Sequence, residues 1–370
     1  MLLVFCARKS NLEKAVEAMQ REEYSKAVKL LNRALPQDSL NPQVHYNLSL
    51  AYSHTDSMHQ ALNHYLKLVE LRSSLKNDVQ LKPIIANFLN LEPYASSIIP
   101  MAKMNQFKGS FSPDGEIIAV AAAKRDISNI YLVRLDGSII EKITNGRMNT
   151  DPNFSPSGQD IVFVSDRDGN EELYLYNLKT KNIERLTDNT AQDFSPSFSS
   201  DGKEIVFVSD INGGWEIYKI NLSNREITPL TKNGYWDGFP KFSTDDKYIV
   251  FSSRRTRSED IYLMNRNGDE KILYSSPGDD NDPTLLKNTL YFKSNQSGDW
   301  EIYEYNLKNK LLIRLTYNSN PDWNPRLSRD GTKILISRKI KKLWGLYFIN
   351  LDNLIPAEFI ASEIKTETQR

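Results

Sequence analysis

The sequence predicts two domains: an all-β, six-bladed β-propeller, preceded by a small all-α domain of helical repeats. Three observations support this prediction. Most of the 370-residue chain after residue 100 repeats with a period of 42–44 residues, each repeat carries four short strand-like segments, and residues 11–95 show helical spacing instead. Periods of about 40–45 residues with four strands each are typical of propeller blades.

Three independent positions mark the 42–44-residue period. The first is an apolar residue at the end of each first strand, the second is a tyrosine in each third strand, and the third closes the fourth strand. They are Phe111, Phe154, Phe198, Phe242, Leu285 and Leu327; Tyr131, Tyr174, Tyr218, Tyr262, Tyr303 and Tyr347; and Thr144, Thr187, Thr231, Tyr274 and Thr316. Six units fit the range of blade numbers found in propellers.

The third unit shows the strand order most clearly. Its first strand is expected at 196–199 and ends at the tight turn 200–202, where Gly202 supplies a positive φ. Residues 205–208 are β-branched and aromatic, which indicates a buried second strand. The third and fourth strands are expected at 216–222 and 225–231. Each unit is therefore predicted to be a four-stranded meander.

The turns carry a motif. In the second unit it reads Phe-Ser-Pro-Ser-Gly at 154–158, Phe-Val-Ser-Asp-Arg-Asp-Gly at 163–169 and Arg-Leu-Thr at 185–187; the first unit has Phe-Ser-Pro-Asp-Gly at 111–115. These segments resemble the repeat of TolB-type β-propellers, roughly over residues 105–355. The fourth unit departs with Asp246 in place of glycine, and the fifth with Leu-Lys-Asn at 286–288. We expect these departures to weaken single turns and not the architecture.

The resemblance implies a periplasmic protein that binds cell-envelope proteins. Helical repeats stand where TolB-type proteins have their own N-terminal domain, which puts the TolB set of partners in doubt. We therefore expect a non-enzymatic, monomeric interaction scaffold of a bacterial envelope, located in the periplasm or at the outer membrane. It would hold protein partners through a propeller face and a helical-repeat groove, and it would need no cofactor.

The helical domain is expected at 11–95. Its apolar positions repeat after thirty-four residues: Ala27, Leu31 and Ala34 correspond to Ala61, Tyr65 and Leu68. With Leu48 and Tyr52, this spacing resembles the tetratricopeptide repeat (TPR). Pro42 is expected to begin a helix, and residues 83–91 to add another that ends before Pro93. Two repeats are too few for a stable solenoid, so the module should pack on the propeller, a partner or further repeats. Its role, docking groove or structural cap, stays open.

The sixth blade needs an outer strand, and two segments could supply it. Residues 357–361 lie where the other repeats carry their fourth strand, whereas residues 97–101 precede the first blade. The repeat register favours 357–361. The propeller would then cover residues 100–361 and leave 362–370 as a polar tail.

Composition excludes several classes of protein. The 47 Lys and Arg balance the 47 Asp and Glu, which argues against a broad nucleic-acid-binding surface. No run of eighteen apolar residues predicts a membrane-spanning helix. Residues 1–10 hold the single cysteine, Cys6, with Leu3 three positions before it, as at the end of a lipoprotein signal; Phe5 stands where a small residue is usual. A lipid anchor on Cys6 is one hypothesis, and a free thiol is the other.

Catalytic chemistry has little support in the sequence. All four histidines, His45, His54, His59 and His64, lie in the helical part, so the propeller lacks the histidine of a Ser-His-Asp triad or of a histidine-ligated metal. Acidic residues recur three positions before a proline in four units: Asp193, Asp237, Asp280 and Asp322. They keep open the alternative of a sugar lyase or lactonase. Their even repetition favours a structural role, such as capping backbone N–H groups, and we expect no catalytic or metal-binding residues.

The tryptophans suggest where partners bind. Trp215, Trp300 and Trp344 lie three residues before a third-strand tyrosine, and Trp236 and Trp323 lie in connections between blades, with Tyr235 beside Trp236. In a meander blade these two kinds of loop emerge on the same face. We predict a docking face formed by these six residues, because Trp and Tyr are frequent interface anchors. The alternative is that each ring packs on the rim of its own blade.

Overall fold

The computed structural model describes residues 9–55, 57–101, 104–318 and 320–367. The chain divides into two compact units, a propeller unit, Tyr94–Asp352, and a helical unit formed by Met1–Pro93 with Asn353–Arg370. Cys6, the candidate lipid anchor, lies outside the described residues. Over the described ranges, no helix is long and apolar enough to cross a membrane.

The helical unit takes its helices from both ends of the chain. The helices described are α1 (Asn11–Gln20), α2 (Tyr24–Ala34), α3 (Pro42–Ser53), α4 (Met58–Glu70), α5 (Leu81–Phe88) and α6 (Ala357–Glu367). A capping box starts α1, because the Glu13 N–H donates to Ser10 Oγ at 3.1 Å and the Ser10 N–H donates to Glu13 Oε2 at 2.7 Å. Pro42 occupies the first turn of α3, as predicted.

The core of the helical unit follows the thirty-four-residue spacing. Ala27 and Leu31 on α2, and Ala61, Tyr65 and Leu68 on α4, are fully buried. Small alanines let the helices approach closely, and the Tyr65 hydroxyl donates to the carbonyl oxygen of Lys76 at 3.0 Å. The predicted helical module is therefore present, while its identity as a tetratricopeptide repeat stays a hypothesis.

The prediction that residues 357–361 form a strand is wrong, because they begin α6. Ala357, Ile360, Ala361 and Ile364 are buried, and their spacing of i, i+3, i+4 and i+7 is that of one helix face. Ala357, Ile360 and Ile364 join one apolar cluster with residues of α4 and α5, such as Leu62 and Ile85. The helices α5 and α6 thus cover the apolar face of α4.

The propeller unit consists of six four-stranded antiparallel sheets within the described ranges. We number them as blades 1 to 6. In the order inner to outer strand they are β2 (Asn105–Phe111), β3 (Ile117–Lys124), β4 (Ile127–Arg134) and β5 (Ile139–Lys142); β6 (Asn149–Phe154), β7 (Asp160–Ser165), β8 (Glu172–Asn177) and β9 (Ile183–Arg185); β10 (Asp193–Phe198), β11 (Glu204–Ser209), β12 (Glu216–Asn221) and β13 (Ile227–Pro229); β14 (Asp237–Phe242), β15 (Tyr248–Ser253), β16 (Asp260–Asn265) and β17 (Glu270–Tyr274); β18 (Asp280–Leu286), β19 (Thr289–Ser294), β20 (Glu301–Asn306) and β21 (Leu312–Arg314); and β22 (Asp322–Leu327), β23 (Lys333–Ile340), β24 (Leu343–Leu354) and β1 (Tyr94–Ile99).

The outer strand of blade 6 is β1, which lies beside β24. This is the alternative that the repeat register disfavoured. The first strands of successive blades contact one another, from β2 through β6, β10, β14, β18 and β22 and back to β2. The ring is therefore closed around a central channel, and the two ends of the propeller segment meet in one sheet.

Threonines at the end of the fourth strand explain the third sequence marker. In blade 3, Thr231 Oγ1 accepts the N–H of Ile217 at 2.9 Å, and in blade 2 Thr187 accepts the N–H of Leu173 at 3.0 Å. The departure at Asp246 is also accommodated. Asp246 adopts φ 55°, in the positive range that glycine has in the corresponding turns of blades 1, 2, 3 and 6, and its carboxylate accepts the Ser200 N–H of the neighbouring blade at 2.8 Å.

Two histidines, of which His45 is buried and His64 partly buried, form a pair in the helical unit. His45 Nε2 lies 2.8 Å from the carbonyl oxygen of Ser39, so this nitrogen donates. His45 Nδ1 then accepts from His64 Nδ1, at 2.9 Å. Burial, followed by the influence of His45, lowers the pKa of His64 to about 4. The pair is thus a hydrogen-bonded element of the helix packing.

We predict that Ile360→Ala destabilises the helical unit. Ile360 is fully buried, so the loss of its side chain should lower the free energy of unfolding by roughly 2–5 kcal/mol. Denaturant unfolding followed by helical circular dichroism measures this change. Phe359→Ala is the matched control, because Phe359 is 47% exposed and its change should cost less than about 0.5 kcal/mol. Equal effects of the two substitutions would show that α6 does not pack through this face.

We also predict that acid destabilises the helical unit through His64. Because its pKa is lower in the folded state than in the unfolded state, the unfolded state binds more protons between about pH 6.5 and pH 4. The stability contributed by neutral His64 is complete above this window and is lost as the pH falls through it. Urea titrations should show a flatter pH profile for His64→Asn, whereas the exposed control His59→Asn should follow the wild type. Parallel profiles for all three proteins would contradict the assignment.

Candidate functional site

The strand registers bring the five tryptophans to one end of the blades. In blade 3, Asp193 pairs with Ser209 and Ser209 with Glu216, so first strands start, second strands end and third strands start at the same end. Trp215 and Trp300 directly precede third strands, Trp236 directly precedes a first strand, and Trp323 and Trp344 lie near the starts of β22 and β24. We call this the Trp end of the propeller.

Two of the tryptophans meet, and a third shares a lysine with one of them. The ring centroids of Trp323 and Trp344 are 4.8 Å apart. The Lys293 ammonium lies 4.6 Å from the Trp323 ring, 4.8 Å from the Trp300 ring and 5.6 Å from the Phe239 ring. Phe239, Trp300, Trp323 and Trp344 together are called the aromatic cluster below. They come from blades 4, 5 and 6, and three of them, Phe239, Trp300 and Trp323, surround Lys293.

The other predicted residues lie around this cluster. Trp236 packs edge-on against Phe239, at 5.7 Å between centroids, and Trp215 packs against Phe194 at 5.1 Å. The Arg254 guanidinium lies 5.2 Å from the Trp236 ring. All five tryptophans are partly buried, and Tyr235 is 50% exposed. Each indole therefore packs partly against its own surroundings and is partly exposed to solvent. This combines features of the two predicted alternatives, a docking face and packing on the blade rim.

A cavity of about 460 Å³ opens among these rings. The residues that line it are Asn105, Phe107, Lys108, Phe194, Ser195, Phe239, Lys293, Trp323, Asn324 and Trp344. Several of them belong to the innermost strands β2, β10, β14 and β22. The cavity is thus the mouth of the central channel at the Trp end, and we call it the channel mouth.

Six residues with left-handed backbone conformation, which the sequence analysis missed, lie on the innermost strands around the channel. Each innermost strand has a bulge at which one residue has φ between 53° and 56°. These residues are Lys108, Asp151, Ser195, Phe239, Asp282 and Asn324. A bulge re-aims a side chain and is common beside functional sites. Five of the six precede a proline at the repeat period, a signal that could have located them.

Charged side chains of the innermost strands pair with one another across neighbouring blades. The Asp282 carboxylate accepts from Lys241 Nζ at 2.9 Å and from Arg326 Nη1 at 2.6 Å. Asp151 pairs with Lys108. Burial by itself would raise the pKa of Asp282, but Arg326 and Lys241 outweigh it and hold that pKa well below its usual range. Burial, together with Arg326, lowers the pKa of Lys241 to about 7.

The recurring aspartates are held separately, one per blade, and do not gather into one site. Each carboxylate accepts from a side chain four residues earlier, at 2.7–3.0 Å: Asn189 to Asp193, Asn233 to Asp237, Ser276 to Asp280 and Asn318 to Asp322. Arg255 also pairs with Asp237 at 2.9 Å, and Arg338 with Asp322 at 2.8 Å. Across the described residues, no group of three or more His, Cys, Asp or Glu could hold a metal ion.

Glutamates supply much of the backbone capping that the sequence analysis assigned to these aspartates. Glu172 accepts the N–H of Asn189 at 2.9 Å, and Glu216 accepts those of Asn233 and Gly234 at 2.9 and 2.8 Å. These glutamates stand two residues before the third-strand tyrosine. Their regular position in the repeat could have identified them in the sequence. We infer that these glutamates hold the inter-blade connections in place.

Six four-stranded meanders closed around a channel define a six-bladed β-propeller, a class that includes both binding proteins and enzymes. The family model of the TolB beta propeller domain matches residues 86–174 and 147–289. These matches cover more than half of the chain, and the chain belongs to this family. A TolB homolog of Chlorobium luteolum is 38% identical over 68 residues, which are 18% of this chain and 15% of that protein. The chain spans less than a third of the length of the curated relatives it matches.

Solved structures with the same fold include TolB proteins and enzymes. TolB from Acinetobacter baumannii superposes with a TM-score of 0.54 at 21% identity, over 69% of this chain and 66% of that chain. An oligogalacturonate lyase from Vibrio parahaemolyticus gives a TM-score of 0.52 at 13% identity, over 70% and 93%. At these identities the likeness shows the fold alone.

We predict that Gly238→Ala displaces the Trp236 indole. A Cβ atom at Gly238 would lie 2.5 Å from ring carbons Cη2 and Cζ2 of Trp236, closer than packing allows, and such overpacking costs roughly 1–3 kcal/mol. The tryptophan emission spectrum and the melting temperature should both change. Gly214→Ala is the control from the preceding blade, because only Glu216 Oε1, at 3.9 Å, comes near its Cβ position. Two indistinguishable variants would mean that Trp236 does not rest on Gly238.

Proposed function

We propose that this protein is a non-enzymatic interaction scaffold of a bacterial cell envelope, which binds a protein partner at the Trp end of its propeller. The observation that carries the proposal is the aromatic cluster around the open channel mouth. Partly buried indoles at the edge of a cavity offer large apolar area on rings that are already held in place. Such residues are typical binding anchors.

Family membership and the names of relatives support the envelope location. A relative from Francisella tularensis, named Tol-Pal system protein TolB, is 32% identical over 88 residues, which are 22% of this chain and 20% of that protein. By this likeness we propose a periplasmic or outer-membrane-associated protein. A lipid anchor through Cys6 is a further hypothesis within the same proposal.

The helical unit would provide a second contact. The thirty-four-residue spacing of its buried alanines supports a tetratricopeptide-type groove that docks a peptide or protein. A scaffold with a propeller face and a helical groove could hold two partners at once.

The enzyme alternative has no comparable observation behind it. Its candidate ligands, Asp193, Asp237, Asp280 and Asp322, are fully buried and already accept hydrogen bonds from their own loops. The fold of the lyase is shared, but a shared fold does not carry a function with it.

We predict that Trp236→Ala and Trp323→Ala weaken partner binding more than they weaken the fold. Truncation of an interface anchor should cost roughly 2 kcal/mol or more in affinity. Since both indoles are only partly buried, the loss of stability should be about 1 kcal/mol, below the roughly 3–5 kcal/mol of a core tryptophan. Capture from envelope extract, identification of the captured protein, and titration of that protein measure affinity; thermal melts measure stability.

The matched control is Tyr248→Ala. Tyr248 is an aromatic residue, 38% exposed, at the start of β15 and therefore at the opposite end of blade 4. It should leave capture unchanged. A large drop in melting temperature for both tryptophan variants, with unchanged affinity of the folded fraction, would refute the Trp end as the binding face.

A further inference from the structure

Lys293 differs in residue type from the residues at the corresponding position of other blades. It stands next to the last residue of β19, where the corresponding strands of blades 2, 3 and 4 carry Val164, Val208 and Ser252. Its side chain is only 7% exposed, yet it lines the channel mouth. A buried lysine normally has a hydrogen-bonded or charged partner, because an unpaired buried charge is costly.

No such partner is present for Lys293. Among the described residues, no hydrogen bond or ion pair involves its ammonium, which faces the rings of Phe239, Trp300 and Trp323 instead. Ring faces attract a cation but accept no conventional hydrogen bond. Burial lowers the pKa of Lys293, and Asp282 and Glu259 offset part of this effect. Both of these carboxylates already pair with arginines, Asp282 with Arg326 and Glu259 with Arg254.

The surrounding charges do not neutralise the channel mouth. Lys108, Lys241 and Arg326 share the two carboxylates of Asp151 and Asp282. Lys293 adds a further basic side chain to this network, so basic side chains outnumber the carboxylates they share. An anion that enters the mouth therefore meets an attractive field, and a cation meets a repulsive one.

We propose that the channel mouth receives the side-chain carboxylate of an acidic residue in the partner protein, with Lys293 as its counter-charge and the aromatic cluster as its apolar wall. This inference rests on the proposed function, since it names the chemistry of the partner segment that the Trp end would bind. The ammonium can donate up to three hydrogen bonds and currently donates none within the described residues. An apolar neighbour of the acidic residue would cover the rings of Trp323 and Trp344.

The first test uses the intact chain and two small probes, phenylacetate and its neutral analogue phenylacetamide. Tryptophan fluorescence or ligand-observed NMR should show that phenylacetate binds at least about tenfold more tightly. Lys293→Met, which keeps an unbranched side chain against the rings, should abolish this preference, and Lys293→Arg should retain it. The control Lys271→Met, exposed on the outer strand β17, should behave as the wild type. Equal binding of the two probes to the wild type overturns the proposal without relying on any variant.

The second test identifies the occupant with a displayed library of random peptides. Wild type should enrich peptides with Asp or Glu beside an apolar residue, and Lys293→Met should lose the acidic preference while it still enriches apolar peptides. Enrichment that depends on Trp323 but not on Lys293 overturns the carboxylate assignment and leaves the binding face intact. No Trp323-dependent enrichment contradicts the binding face and the inference together. Charge-selective binding of phenylacetate without acidic peptides would assign the mouth to a small free carboxylate, and would overturn the peptide assignment.

Discussion

The pairing of β1 with β24 is the contact on which the propeller depends. A ring of sheets has protected edges only when it closes, and here the last sheet contains strands from both ends of the propeller segment. Loop-closure entropy grows with the logarithm of the length enclosed, so this pairing costs more than any hairpin in the ring. Burial of Ile99 and Met101 in one cluster with Ile118 and Leu346 offsets that cost. The channel, the mouth and the order of the blades all depend on this closure.

The repeat made the architecture readable from the sequence, because a period with four strands per unit has few structural solutions. The repeat could not identify the strand that closes the ring. A period shows where a fourth strand would fall, but it does not show which distant segment pairs with β24. Residues 357–361 lie in the expected register, and yet Ala357, Ile360 and Ile364 follow a helix face that a period-based assignment ignores. Strand β1, with half of its residues exposed, carries little alternation to identify it.

The same limit applies to the candidate site. Loop position alone placed all five tryptophans at one end, because meander geometry fixes the face on which a loop emerges. Which rings meet depends on the order of the blades around the channel, and so the aromatic cluster required the fold. The sequence did not point to Lys293, because a single lysine in a short apolar strand follows no recognisable motif. Only its depth in the mouth, and the lack of an acceptor among the described residues, make it a candidate.

A cation buried before any ligand arrives also changes what the mouth can distinguish. The fold already bears the desolvation of Lys293, so a carboxylate that enters gains the ion pair without that part of the penalty. A neutral apolar segment would cover the same rings but would remove the remaining water from an unpaired ammonium, and its binding would be weakened accordingly. Specificity is a difference between affinities, and a buried charge enlarges it by penalising the wrong ligand. In the proposed site the apolar walls would supply affinity, and Lys293 would select the segments that bind.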